Sequence, residues 1–415
     1  MAGMAMTVST AGLVLVEHEF EVPLDHARPD GEKITVFARE VADPDGRDRP
    51  FLVFFQGGPG FESPRPSGNP RSPGWLERGL KDYRLLLLDQ RGTGRSTPVG
   101  EPVGATAREQ ADYLTHFRAD SIVRDAELIR TELDVDKWSV LGQSFGGFCA
   151  MTYLSLAPEG LRQAFITGGV PPLGLSPDEI YRTTYRQTMT LVRRYYDRFP
   201  EDRKRVREIY EWLEGEDVRL PSGDRLTGRR FRQIGNTLGM SDGADHLHYL
   251  LEQPRGSRAF RHDWESLPMP FNRNPIYAVI HEACYADGFV TNWAAERVQP
   301  PEYAEDVTLL SGEHIFSWMF DDYGGLAPYR EAARLLAERE WPRLYDEDRL
   351  RDNEVPVAAA VYADDPYVDA GLSMRTAEVV RGMRPWLTNE YLHNGLRADG
   401  SRILGRLIDL TTGRA

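Results

Sequence analysis

Residues 138–148 read WSVLGQSFGGF, an apolar run that ends at a serine set among glycines. Apolar residues without polar alternation are typical of a strand covered on both faces, and the following FCAMTYLSLAP predicts a helix. A sharp strand-to-helix turn exposes the hydroxyl of Ser144 at the strand end, and glycines at 142 and 146 relieve crowding there. With 38 glycines in 415 residues the pattern also arises by chance, so a structural serine in a glycine-rich loop remains the alternative.

Further apolar runs rich in β-branched residues recur along the chain, each bounded by turn residues. They predict strands at 34–41, 51–56, 83–89, 163–169 and 355–362. Between two of them, the spacing of apolar residues predicts a helix that begins at Asp120 or Ser121 as N-cap and continues to Leu133. Strands that alternate with helices predict an α/β fold with a mostly parallel, doubly wound sheet.

The alternation stops near Pro171 and resumes near Val355. The segment between them is rich in Arg, Tyr, Trp and Glu and predicts helices, inserted after the sixth core strand as a cap over the strand ends. We therefore divide the chain into a first core part (1–170), a mainly helical cap domain (171–340) and a second core part (341–415).

The composition is that of a globular protein rather than a disordered one, with 41% hydrophobic and 27% charged residues. The net charge of −14 opposes binding to nucleic acid and to anionic membranes. No apolar run approaches the roughly 20 residues of a membrane helix. The first residues carry neither a basic region nor a cleavage site, which favours the cytoplasm.

Only two cysteines are present, Cys149 and Cys284, so no disulfide framework is predicted. No cluster of cysteine and histidine has the spacing of a zinc site. We therefore predict neither a metal nor another cofactor. The sequence makes no prediction of the oligomeric state.

A second group of glycines follows another predicted core strand, in FFQGGPG at 54–60. Backbone N–H groups of Gly57 or Gly58 can approach a ligand oxygen there, since glycine has no side chain to block it. Together with the N–H of Phe145, which follows Ser144, they predict an oxyanion hole.

The remaining members of a catalytic triad are expected in the order serine, acid, histidine. Of nine histidines only His393 lies beyond position 314, in a loop after the short predicted strand TNEYL at 388–392. The preceding strand ends in YADDPYVD, which offers Asp364 and Asp365 as the acid. We favour Asp365, because the aspartate of such an acid turn is commonly followed by proline and a downstream valine. His393 would then take the proton of Ser144 during attack on a carbonyl.

Five stretches give the chain a family resemblance: GGPG (57–60), DQRGTGRS (89–96), GQSFGGF (142–148), SGEHIFSWMF (311–320) and EYLHNGLR (390–397). With them, the sequence resembles the prolyl aminopeptidases (proline iminopeptidases), serine peptidases of the α/β-hydrolase fold. One departure is Gln56 before GGPG, where relatives usually carry histidine. In DQRGTGRS, we expect Asp89 and Arg91 to lock loops beneath the site rather than to react.

The resemblance implies a serine exopeptidase that releases N-terminal proline through an acyl-enzyme, with a peptide bearing a free N-terminal proline as its partner. Acidic groups of the cap would bind the protonated amine of that substrate. Glu282 in IHEACY is the first candidate for this role, Glu265 in DWES the second, and Glu313 in SGEH competes with it.

Two other functions remain open at this point. The same triad could serve an esterase or lactonase that acts on a small lipophilic ester. The chain could also be a non-catalytic ligand receptor on a hydrolase scaffold, although that function needs a damaged triad and all three members are present.

Overall fold

The computed structural model describes residues 6–10, 12–267 and 271–414. The strands are β1 (Met6–Thr10), β2 (Leu13–Pro23), β3 (Lys33–Ala42), β4 (Phe51–Phe55), β5 (Ser67–Gly68), β6 (Arg71–Ser72), β7 (Arg84–Leu88), β8 (Trp138–Gln143), β9 (Leu161–Thr167), β10 (Val357–Tyr362) and β11 (Met383–Thr388).

The helices of the described residues divide between the sheet and a long insertion. Those of the sheet are α1 (Leu76–Asp82), α2 (Ala107–Leu114), α3 (Ala119–Glu132), α4 (Phe145–Leu156), and, after the insertion, α16 (Ala370–Val379), α17 (Gly395–Ala398) and α18 (Gly400–Thr412). Those between β9 and β10 are α5 (Pro177–Arg198), α6 (Pro200–Gly215), α7 (Gly228–Arg232), α8 (Gly243–Glu252), α9 (Arg258–Ser266), α10 (Pro275–Ile280), α11 (Ala294–Arg297), α12 (Glu302–Glu305), α13 (Met319–Asp322), α14 (Arg330–Ala337) and α15 (Glu347–Arg351).

One large sheet organises the described part of the chain, in the order β1-β2-β3-β7-β4-β8-β9-β10-β11. The six strands from β7 to β11 in that order are parallel to one another, while β1, β2 and β3 join them antiparallel. The alternation of β2, LVLVEHEFEVP, is typical of such an antiparallel strand with one face more covered than the other. The predicted mostly parallel α/β sheet is confirmed.

Both faces of the parallel strands are buried, because successive side chains of a strand point to opposite faces. On β4, Val53 packs in a cluster with Ile122 of α3, whereas Leu52 packs in a second cluster with Leu404 of α18. Helices therefore cover the sheet on both sides, which explains the continuous apolar runs in its central strands.

The insertion between β9 and β10 is helical and has an apolar cluster of its own. That cluster includes Val192 of α5, Val206 of α6 and Leu247 of α8, all of them fully buried. The last helices of the insertion contact the core instead, α14 against α2 and α15 against α4. None of the helices within the described ranges combines the length and the apolar character that a membrane crossing requires.

Two local predictions differ from the structure. Helix α3 begins at Ala119 with Arg118 as N-cap, because the carbonyl oxygen of Arg118 already accepts the N–H of Ile122 at 3.2 Å. The last strand is β11 rather than 388–392, since the residues that pair with β10 are Met383–Thr388. Residues 389–392 instead lead into the loop of His393.

The segment DQRGTGRS after β7 braces the loop that follows β4. Asp89 is fully buried and accepts hydrogen bonds from the N–H of Ser63 at 3.1 Å and from the Arg65 guanidinium at 2.9 and 3.0 Å. Arg91, also buried, donates at 2.6 Å to the carboxylate of Asp125 in α3. Both side chains therefore hold loops together, as the sequence predicted.

Candidate active site

Ser144 lies at the turn between β8 and α4, with φ 54° and ψ −123°. A positive φ is unusual for serine and stores strain, which a structure retains where the surroundings enforce it. A Cβ atom on Gly146 would lie 1.9 Å from the carbonyl oxygen of Phe55, and one on Gly142 would lie 2.2 Å from the carbonyl oxygen of Gly146. The glycines of the sequence pattern are thus required by close backbone packing around Ser144.

His393 and Asp365 come together at the carboxyl ends of β10 and β11. The His393 Nδ1 lies 2.7 Å from the Asp365 Oδ2, and both side chains are buried. The other carboxylate oxygen, Oδ1, accepts the N–H groups of Tyr367 at 2.9 Å and Val368 at 3.1 Å. These bonds orient the carboxylate toward the imidazole, which is the orientation that the acid of a catalytic triad requires.

Asp364 points elsewhere. Its carboxylate pairs with Arg194 of α5 at 2.9 Å and remains partly exposed. The structure therefore brings Asp365, and not Asp364, to His393.

Ser144 and His393 line one cavity of about 840 Å³ at the strand ends. The Ser144 Oγ makes no hydrogen bond with His393 in the described part of the chain, a contact that commonly tightens only when substrate binds. Burial lowers the pKa of His393, but the charges of Asp365 and Glu313 outweigh burial and raise it above its usual value. The imidazole is therefore a stronger base than free histidine.

Of the predicted oxyanion donors, Gly57 comes close to Ser144 but has its N–H already bonded. A Cβ on Gly57 would lie 3.0 Å from the Ser144 Cβ, so the glycine loop does approach the nucleophile. However, the Gly57 N–H donates at 2.9 Å to the Oε1 of Gln56, whose Nε2 donates at 3.2 Å to the carbonyl oxygen of Glu62. Gly58 with φ +124° and Phe145 at the start of α4 remain the candidate donors unless Gln56 turns away.

Of the three candidate carboxylates, only Glu313 lines the cavity of Ser144 and His393. Its Oε1 accepts a hydrogen bond from the Tyr277 hydroxyl, and its Oε2 lies 3.5 Å from the His281 Nε2. Burial raises the pKa of the Glu313 carboxyl, but His281 and the charge of His393 outweigh burial and hold it below the usual value. Glu313 therefore presents a negative charge to the cavity at neutral pH.

Glu282 and Glu265 lie outside the lining of that cavity. Glu282 is only 6% exposed, and its Oε1 accepts the N–H of Ala295 at 2.9 Å, while its Oε2 has no hydrogen-bond partner among the described residues. Burial raises the pKa of Glu282. Glu265 faces the N–H of Ser222 at 3.4 Å in a more exposed position. Glu313, which the sequence placed in competition with Glu265 and behind Glu282, is thus the candidate that lines the cavity of Ser144.

Sequence reasoning missed the two partners of Glu313. Tyr277 and His281 are four residues apart at α10, a spacing that places both side chains on one helix face. That spacing was a readable signal, although nothing in it identifies Glu313 as the common partner.

One cluster in the described residues has the ligand types of a metal site: Glu201, Asp202 and His248 in the cap. None of the three lines the cavity of Ser144. Asp202 is already bound by the His248 Nδ1 at 2.8 Å and the Arg205 guanidinium at 2.6 Å, so a cation would meet a positive charge there. We assign this cluster to cap structure.

A sequence family described as "alpha/beta hydrolase fold" matches residues 50–211. A proline iminopeptidase of Aeromonas sobria is 48% identical, over 96% of this chain and 97% of its own length. The chain belongs to the proline iminopeptidase family. A second member, the proline iminopeptidase aneH of Aspergillus aculeatus, is 34% identical over 96% of this chain and 94% of its own length.

Membership of the proline iminopeptidase family extends over core and cap, since both alignments span nearly the whole chain. Among solved structures, a bromoperoxidase from Bacillus anthracis matches with a TM-score of 0.44 and 14% identity, over 95% of this chain and 99% of that one. At that score the likeness adds nothing to the assignment, which rests on the sequence relatives.

Proposed function

We propose that this chain is a serine exopeptidase that releases N-terminal proline from peptides, with Ser144, His393 and Asp365 as its triad. The observation that carries the proposal is the position of the Glu313 carboxylate in the cavity of Ser144 and His393, where His281 and His393 hold its pKa below the usual value against the effect of burial. A buried negative charge near a nucleophile favours a substrate that brings a positive charge to that place. The protonated amine of an N-terminal residue meets this requirement, and the two full-length relatives carry the name proline iminopeptidase.

The reaction proceeds in two stages. In the first, the Ser144 Oγ attacks the carbonyl carbon of the N-terminal residue while the His393 Nε2 takes the hydroxyl proton. The C–N bond then breaks, the departing peptide amine receives that proton, and an acyl-enzyme remains. In the second, water attacks the acyl-enzyme with His393 again as the base and releases proline and the free Ser144.

Two groups of this chain stabilise the charges that develop. Asp365 holds the imidazole in the tautomer with a proton on Nδ1 and stabilises the imidazolium that forms. The N–H groups of Phe145 and Gly58 bind the oxyanion, each contributing about 3 kcal/mol in the transition state.

The shape of the site on the far side of Glu313 supports cleavage after the N-terminal residue alone. There a small cavity of about 10 Å³ adjoins the large one and shares Asn236, Tyr277 and Glu313 with its lining. This volume is about that of a single water probe and cannot hold a further residue. A peptide bound with its amine at Glu313 therefore finds little room beyond that point, which supports cleavage at the first peptide bond.

Hydrolysis of proline 2-naphthylamide and of its N-acetyl derivative tests the proposal. We expect turnover of the free amine substrate alone, because acetylation removes the charge that Glu313 binds. The variant Glu313→Gln should lower kcat/KM for the free substrate by about ten- to hundredfold, the effect of losing a hydrogen bond to a charged group.

The matched control is Glu305→Gln, the same substitution at an exposed carboxylate of the cap. It should leave kcat/KM within about threefold of the parent value. Equal rates with free and acetylated substrates would reject the exopeptidase and favour the esterase or lactonase.

We further propose that the enzyme acts on peptides in the cytoplasm. The two cysteines support this location, since Cys149 and Cys284 are both free and buried rather than joined in a disulfide. The division into core (1–170 and 341–415) and cap (171–340) is part of the same proposal. It is supported by the separate apolar cluster of the insertion.

A further inference from the structure

Asn236 is a buried polar residue that the mechanism above leaves without a role. It lies in the cap, in the 3₁₀ segment Gln233–Gly239, and is 6% exposed. Its Oδ1 has no hydrogen-bond partner within the described residues. A buried acceptor without a partner is costly, and native proteins retain few of them.

The location of Asn236 links this acceptor to the substrate site. Asn236 lines the large cavity that contains Ser144 and also the small cavity behind it. Only Tyr277 and Glu313 share this double position among the described lining residues. The Tyr277 hydroxyl already donates its proton to Glu313, so the Asn236 Oδ1 is the acceptor that remains beside the Glu313 carboxylate.

The segment of Asn236 is tied to the catalytic loops. The Tyr367 hydroxyl donates to the carbonyl oxygen of Asn236, and the ring of Tyr367 packs edge-on against His393 at 4.7 Å between centroids. The backbone N–H of His393 donates at 3.0 Å to the carbonyl oxygen of Gly239. These contacts fix Asn236 relative to the imidazole, as the precise placement of a substrate group requires.

We propose that the Asn236 Oδ1 accepts one N–H of the protonated substrate amine while Glu313 accepts the other. The inference rests on the proposed function and specifies how the amine is positioned. The secondary ammonium of an N-terminal proline carries two N–H donors, and each needs an acceptor once the cavity has taken it out of water.

A carboxamide suits this second position better than a carboxylate. A second carboxylate beside Glu313 would raise the pKa of one of the two and reduce its charge at neutral pH. The neutral Asn236 adds an acceptor and leaves the ionisation of Glu313 unchanged. Asn236 is thus a positioning and specificity residue rather than a member of the triad.

Two activated esters separate this role from a structural one. The p-nitrophenyl ester of proline carries the ring amine, whereas that of cyclopentanecarboxylic acid has the same ring shape without nitrogen. Asn236→Leu should lower kcat/KM for the proline ester by about ten- to hundredfold, the effect of one hydrogen bond to a charged group. The cyclopentane ester should stay within about threefold, since it has no donor for Asn236.

Asn236→Ala is the second variant, because it removes the acceptor without introducing a charge or the bulk of leucine. It should show the same selective fall of about ten- to hundredfold in kcat/KM for the proline ester, while a thermal melt monitors folding of both variants. If Asn236→Leu does not fold, Asn236→Ala decides the matter, and a parent-like preference for the proline ester in Asn236→Ala would overturn the inference.

The inference would also be overturned if Asn236→Leu lowered kcat/KM equally for both esters, or if it left the preference for the proline ester unchanged. Failure of the proposed function has a different signature. In that case the parent protein itself would hydrolyse the two esters at similar rates, before any substitution is made.

Discussion

Replacing Gly146 with alanine tests the turn that carries Ser144. The added Cβ would lie 1.9 Å from the carbonyl oxygen of Phe55 and 2.5 Å from its carbonyl carbon. Real Cβ contacts essentially never fall below 3.0 Å, so α4 and β4 must separate locally by about 1.1 Å. Both contacting atoms belong to the backbone, and no side-chain rotation can relieve them.

The displacement acts on two parts of the site at once. Phe145 at the start of α4 carries one proposed oxyanion donor, and β4 leads directly into the loop of Gly57 and Gly58. A misplacement of about 1 Å costs about a hundredfold in rate, and overpacking costs about 1–3 kcal/mol in stability. We therefore expect Gly146→Ala to lower kcat/KM for proline 2-naphthylamide by about a hundredfold and to lower Tm.

Gly405 in α18 provides the matched control. A Cβ there would meet only the Arg78 side chain, at 3.4 Å, which is an ordinary contact. Gly405→Ala should stabilise the helix by up to about 1 kcal/mol and leave kcat/KM unchanged. Steady-state kinetics and thermal melts of the two variants, made side by side, measure both effects. The reasoning fails if Gly146→Ala keeps parent kcat/KM, or if Gly405→Ala loses it to the same extent.

Four further outcomes are expected. Asp365→Asn should lower kcat by about 10⁴-fold, whereas Asp364→Asn should stay within about threefold, and comparable losses in both would contradict the assignment of the acid. Burial lowers the pKa of His393, but Asp365 and Glu313 outweigh burial and leave the pKa above its usual value. Since protonated His393 cannot act as the base, kcat/KM should fall as the pH drops through this raised pKa. Glu313→Gln should move this acid limb to lower pH in a pH–rate profile, and an unmoved limb would remove Glu313 from the environment of His393. Burial raises the pKa of Glu282, so the folded protein loses stability as the pH rises through that pKa and the buried carboxyl group ionises. Glu282→Gln removes this ionisation and should therefore raise Tm more near about pH 8 than near about pH 4.

The fold could be predicted from the sequence because its signals are local. The continuous apolar runs of the parallel strands and the turn at Ser144 follow from short-range patterning, and both are present in the structure. The structure also brings Asp365 to His393, from residues that lie 28 positions apart in the chain. Their roles, like the boundaries 1–170, 171–340 and 341–415, stay predictions that the experiments above address.

The acidic part of the site could not be ranked from the sequence. Glu282 and Glu313 both sit in apolar, aromatic surroundings, and which one faces Ser144 depends on how cap helices pack over the core. Local patterning does not encode that packing, since it arises from contacts between segments far apart in the chain. Asn236 could not be singled out for the same reason: its segment, QIGNTLG, carries no motif, and its place in the cavity lining depends on how the cap packs over the core.

The contacts of Tyr367 with Asn236 and of His393 with Gly239 join the insertion to the loops of the triad. In a chimaera that carries the cap of another family member, the cap partner of each hydrogen bond would be replaced while the partner in the triad loop would stay the same. Substrate preference in this family should therefore not transfer by grafting the cap alone. The histidine loop and the acid turn have to be transferred with it, because their hydrogen bonds to the cap hold the parts in register.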